Sequence, residues 1–173
     1  DYVTADKYYQ IFFVSSDNTT NKALTLKNAT QNYNSGDGSF SLDTSNTAMA
    51  VTPVAEASLS QTDFIASLYT LTAGTTGMTV KNVNANVPWG DVSITNGLLA
   101  TTGAGTEYPF AVVSGQSDNS RWNIQTVSGY LAFNSADYES AIVNNTTSGT
   151  TARLKEVTSI PVTIKSTLWT SLC

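Results

Sequence analysis

Histidine is absent from all 173 residues. That absence removes the imidazole base of Ser-His-Asp and Cys-His nucleophile activation. It also removes the commonest ligand of zinc, copper and non-haem iron sites. Catalysis would fall to carboxylates, lysine and tyrosine, and glutamate is scarce: Glu56, Glu107, Glu139 and Glu156 are scattered, each beside a turn or strand end. No motif places two of them as the carboxylate pair that glycoside hydrolysis needs. Cys173, the last residue, is the single cysteine, so no intrachain disulfide forms. Charge is thin as well, with 8 Lys and Arg against 13 Asp and Glu. The cations nowhere cluster, which argues against a nucleic-acid footprint and against an anionic membrane surface as partner. No apolar run approaches the 18 or so residues that a membrane-spanning helix requires. With no initiator methionine and no signal-like segment, the chain reads as a processed or excised piece of something longer.

Thr, Ser and Asn are abundant and together make 62 of the 173 residues. Thr loses rotamer freedom in helices, and Ser and Asn compete for backbone hydrogen bonds there, so this mixture suits strands and turns. A hydrophobic share of 40% is too high for a disordered segment. The low-charge, Thr/Asn-rich composition suggests an exported protein, extracellular or at the cell surface.

Short runs of alternating character recur, broken every eight to twelve residues by turn residues. Strands are predicted near Tyr8–Val14, Lys22–Asn28, Ser39–Asp43, Ala48–Val54, Leu68–Ala73 and Met78–Val83. Others follow near Asp91–Ile94, Tyr108–Ser114, Trp122–Val127, Tyr130–Phe133, Ser140–Asn144 and Ala152–Val157, with a thirteenth at Pro161–Lys165. Asp37-Gly38, Thr76-Gly77, Asn96-Gly97, Ser128-Gly129 and Ser148-Gly149 supply turns. Asn96-Gly97 is a type I′ candidate. One stretch, 54–68, suggests a turn or two of helix, with Ser60 and Asp63 at capping-box spacing. The segment 32–40 has a hint of a calcium loop, but Asp37 is its single carboxylate and a hairpin turn is the better reading.

Three stretches share a small residue, a spacer, a bulky apolar residue, a spacer and an apolar residue: Ser67–Leu71, Ser120–Ile124 and, more loosely, Ala152–Val157. Many short strands suit a barrel or sandwich. With the three repeats, and with a Tyr-rich opening KYYQIFFV leading into KALTLKN, the chain resembles ricin-type β-trefoil modules of large secreted bacterial proteins. Those modules close each repeat on Gln-x-Trp. Here Ser67-x-Tyr69, Ser120-x-Trp122 and Ala152-x-Leu154 stand in that place, the apolar member kept and the Gln lost. GYLAFN at 129–134 resembles the family's Lys-Tyr-Leu strand. The resemblance implies an all-β trefoil over 1–157, about twelve strands in three degenerate repeats. The tail 158–173 would be a C-terminal extension strand or the start of a following domain; a β-sandwich is the alternative fold.

The same resemblance implies a non-catalytic carbohydrate-binding module with glycans and neighbouring domains as partners, and no cofactor or metal. The alternatives are a structural or protein-interaction spacer, or an adhesin-type sandwich. Trp122, heading a strand, is expected in the core. Sugar recognition needs a ring face to stack on and a carboxylate or amide to bind hydroxyls. The loop NVNANVPWGD offers Trp89 and Asp91 with Asn82, Asn84 and Asn86; a second group is Asn134, Asp137, Tyr138 and Glu139.

Overall fold

The computed structural model describes residues 7–15, 19–93, 95–113, 121–133 and 142–158. These form fifteen strands: β1 (Tyr8–Val14), β2 (Asn21–Thr25), β3 (Gln31–Asn34), β4 (Ser39–Leu42), β5 (Thr52–Ala55), β6 (Tyr69–Ala73), β7 (Met78–Asn82) and β8 (Val87–Ser93). There follow β9 (Gly97–Ala100), β10 (Glu107–Tyr108), β11 (Phe110–Val112), β12 (Arg121–Thr126), β13 (Gly129–Phe133), β14 (Ile142–Asn145) and β15 (Thr151–Val157). Two helices, α1 (Asn46–Met49) and α2 (Gln61–Ala66), and a 3₁₀ turn at Glu56–Ser58 complete the described chain. The all-β expectation holds, and every strand pairing is antiparallel.

Thirteen strands belong to one sheet, while β3 and β4 pair only with each other. That arrangement departs from the two packed sheets of the sandwich alternative. Within the large sheet the pairings run in a circuit. β1 meets β6 at Tyr9↔Tyr69, β6 pairs with β7, and β7 pairs with β10. Pro109 separates β10 from β11, because it has no N–H to give a ladder. β11 pairs with β12, β12 with β15, and β15 returns along the whole of β1. From this circuit hang three hairpins: β2/β5 on β1, β8/β9 on β7, and β13/β14 on β12.

The registers repeat three times. Leu71↔Val80, Phe110↔Ile124 and Leu154↔Ile11 are cross-strand pairs at like positions. Two residues before the second member of each lie Met78, Trp122 and Tyr9, which face Tyr108, Ala152 and Tyr69. Two residues after it lie Asn82, Thr126 and Phe13, which pair with the hairpin residues Val87, Gly129 and Lys22. Two further along each hairpin strand stand Trp89, Leu131 and Leu24, all fully buried. Side chains alternate faces along a strand, so these steps of two keep the residues of each strand named here on one face.

Several sequence expectations change here. The register sets Trp122 opposite Ala152 and Tyr9 opposite Tyr69. Trp122 is in the core as expected. The predicted strand at Ala48–Val54 is instead α1 followed by β5, because Ser45 caps a turn that sends Ala48 and Met49 inward. β3 and β9 are not among the expected strands; QNYN is polar and GLLA is a short apolar run, and neither alternates. Asn96-Gly97 does join β8 to β9, but only Gly97 has a positive φ, 71°. The turn is therefore not type I′, which needs both positions positive. Ser60 and Asp63 form the capping box in full. The Pro161–Lys165 strand and the 158–173 boundary fall outside the described residues beyond 158.

Trp89→Leu supplies the residue that Leu24 and Leu131 already provide at like positions. It should keep the cooperative fold at a smaller cost than Trp89→Ala, for which about 3–5 kcal/mol is expected. Urea unfolding midpoints of the two variants check this; equal losses would break the equivalence.

Candidate functional site

The stretch NVNANV forms the β7–β8 turn, and its three asparagines have three separate roles. Asn82 is fully buried: its Nδ2 donates to the Ala66 carbonyl (2.8 Å) and its Oδ1 accepts from the Ala85 N–H (2.9 Å). It ties the turn to the end of α2. Asn86 takes φ 58°, a left-handed conformation that asparagine tolerates better than most residues. Asn84 lies between them, and its Oδ1 is buried without a hydrogen bond among the described residues.

Trp89 is fully buried, which corrects its expected role as a stacking platform for sugar. Its ring meets those of Tyr69 (5.4 Å between centroids, 71°) and Tyr108 (6.1 Å, 79°) edge-on. This is a favoured aromatic geometry, and it encloses the indole in the core. Asp91, two residues on, would point the same way in a regular strand. A register shift between Trp89 and Val92 turns it out to solvent instead, as an irregular pairing re-aims a side chain. There its Oδ1 accepts from the Thr106 hydroxyl at 2.6 Å. The expected Trp89–Asp91 pairing therefore does not assemble. Asp137, Tyr138, Asn134 and Glu139 lie outside the described residues.

Asn84 instead lines a cleft of about 600 Å³ between α2 and the β3/β4 hairpin. Lys27, Gln31, Phe40, Gln61 and Ile65 line it too. The hairpin is set by its turn: Gly38 takes φ 74°, its N–H bonds the Asn34 carbonyl, and Asp37 accepts from the N–H and hydroxyl of Ser39. The Ser39 bonds hold the Asp37 carboxyl below its ordinary range. Tyr33 and Phe40 face each other across the two strands, their centroids 5.2 Å apart. They stay 62% and 64% exposed because the hairpin has no other strand against it. The opposite wall is α2, whose Ile65 and Ala66 are buried and whose capping box sets its start. The Leu26 N–H bonds the Ala66 carbonyl and so holds the Lys27 segment against the helix end.

Phe40 and Lys27 were not among the expected site residues. A signal for Phe40 was present: a turn centred on Asp37-Gly38 places Tyr33 and Phe40 opposite each other on a strand pair with little else apolar. No local pattern marks Lys27.

A second cleft, of about 330 Å³, is lined by Asp91, Glu107, Thr126, Ser128 and Asn144 among others. Its polar groups bind one another. Glu107 accepts from the Thr76 and Gly77 N–H groups, and the Asn144 side chain accepts from Thr126 and donates to Ser128. In the wall of this cleft the Tyr108 hydroxyl donates to the Gly90 carbonyl. Burial raises its pKa, and the neighbouring Asp91 charge adds to the rise. Burial likewise raises that of Tyr69.

No protein-family model matches this chain, and the search of curated proteins finds no match.

Asn82→Ala leaves the buried Ala85 N–H without its acceptor; a loss of about 1–3 kcal/mol in denaturant unfolding is expected. Tyr69 and Tyr108 are neutral in the folded and unfolded chain alike below pH ~10. Above it the unfolded chain ionises them first, so the stability linked to their raised pKa values declines as pH climbs. Phenolate absorbance should show both rings resisting ionisation until the protein unfolds; ordinary titration of all tyrosines in the folded state would contradict this.

Proposed function

We propose that this chain is a β-trefoil, non-catalytic carbohydrate-binding module of a secreted or cell-surface bacterial protein. The trefoil reading is supported by the circuit of pairings, with β10 and β11 sharing one position in it. It is supported too by the three pendant hairpins and the threefold recurrence of register. β3, β4 and α1 then make an insertion in the first repeat.

The observation that carries the functional reading is the exposed Phe40 ring in one cleft with Asn84, Gln31 and Gln61, rimmed by amide and hydroxyl groups. A ring face suits the C–H face of a pyranose. Asn84, Gln31 and Gln61 suit its hydroxyls. Among the described residues no Asp, Glu or Cys lines this cleft, and the chain has no His. One site of this kind binds weakly, and avidity would come from neighbouring modules.

A second reading, a protein-interaction spacer, draws on the same exposed Tyr33–Phe40 pair, since exposed aromatics also anchor protein contacts. A glycan array separates the two. The folded domain should bind a subset of glycans, and Phe40→Ala or Asn84→Ala should weaken that binding about 10-fold while leaving the unfolding midpoint near that of the parent. Absence of binding to every glycan would favour the spacer.

A further inference from the structure

We infer that the cleft selects a saccharide bearing a carboxylate, of the uronic or sialic acid class, and that Lys27 reads the charge. This rests on the carbohydrate-binding reading above and adds to it the class of sugar.

The chain as a whole is acidic, with a formal net charge of −5, so an anionic ligand is repelled from most of its surface. The cleft is an exception. Among the described residues Lys27 is the only charged one in its lining; the remaining polar lining comes from Thr30, Gln31, Gln61, Thr62 and Asn84. The other two described clefts contain carboxylates, Asp91 and Glu107 in one and Glu56 in the other. Lys27 is exposed, and it enters no ion pair among the described residues, whereas Lys7 pairs with Glu156 and Arg153 with Glu56. The carboxylates on the flanking elements keep their charge but are held by local hydrogen bonds, Asp37 at the hairpin turn by Ser39, and none of them lines the cleft. Asp63 accepts from the Ser60 N–H in the α2 cap, and Asp43 from the Ser45 N–H before α1.

A free ammonium at the mouth of a neutral, hydrogen-bonding cleft is complementary to one carboxylate on an otherwise neutral ring. The sugar ring would lie on Phe40, its hydroxyls would reach the amides, and its carboxylate would meet Lys27. Two cations or an arginine fork would suit a phosphate or sulfate better; a lone lysine suits a single charge.

The test uses matched pairs that differ in charge but keep the sugar ring: oligogalacturonate against its methyl ester, and sialyllactose against lactose. Titration calorimetry on the folded domain should show the acid of at least one pair binding about 3–10-fold more tightly. That preference should shrink at ~0.5 M salt, where the Debye length is only a few ångströms. Lys27→Met should abolish the preference, Lys27→Arg should keep it, and Phe40→Ala should weaken both members. Equal binding of both members of each pair, or a preference that survives Lys27→Met, overturns the charge inference while the carbohydrate reading stands. Acid binding that ignores Phe40→Ala overturns the placement of the site. No binding by any of the four overturns both.

Discussion

The pairing of β1 with β15 is the constraint on which the other contacts depend. It runs through seven cross-strand pairs from Tyr8↔Val157 to Val14↔Thr151, joining the first and last described strands. Such a contact carries a large loop-closure entropy, because nearly the whole described chain lies between its partners. The compensation is in β1 itself. Tyr9, Ile11 and Phe13 enter the core, while Gln10, Phe12 and Val14 on the other face are buried as well. Gln10 reaches the Ser67 hydroxyl at 2.9 Å, and Phe12 lies under the Arg153 guanidinium. A strand covered on both faces cannot slip by one residue without misplacing every side chain. With β1 held between β15, β2 and β6, the β1/β2 hairpin and the start of the insertion are placed too.

The candidate site grows out of that frame and is not part of its repeated portion. The three pendant hairpins direct Leu24, Trp89 and Leu131 inward, and each is spent on packing. What differs between the three is the stretch between β2 and β5, long enough to carry β3, β4 and α1. α1 and Val51 return to the body by packing and by a backbone bond to Leu98, leaving β3 and β4 standing away from it. The result is an aromatic pair that no core covers, across a cleft from a helix. Two aromatic groups in one chain thus meet opposite fates: Trp89 is enclosed by Tyr69 and Tyr108, while Tyr33 and Phe40 meet chiefly each other.

Much of the frame was legible beforehand. β1, β6, β7, β12, β13 and β15 each read as apolar or alternating runs bounded by turn residues, and the Ser60–Asp63 cap was legible from spacing alone, because these signals are local. The site was legible in part. Asn84 was among the expected residues, but nothing in NVNANV distinguishes the asparagine that braces, the one that lines the cleft and the one that takes the left-handed turn. Trp89 and Asp91 looked like one site because they stand two apart, and the shift in register between β8 and β9 separated them.

The amino-acid sequence by itself determined that this protein is built of strands and turns, lacks imidazole chemistry and has an acidic balance with scattered cations. Those are properties of composition and of neighbours a few residues apart, where propensity and periodicity act. Tertiary structure alone decided which strands pair, which of several like residues is buried, and that Lys27, Phe40 and Asn84 share a cleft. Those outcomes depend on contacts between residues far apart in the chain, and their energies belong to the assembled core and not to any short segment of it.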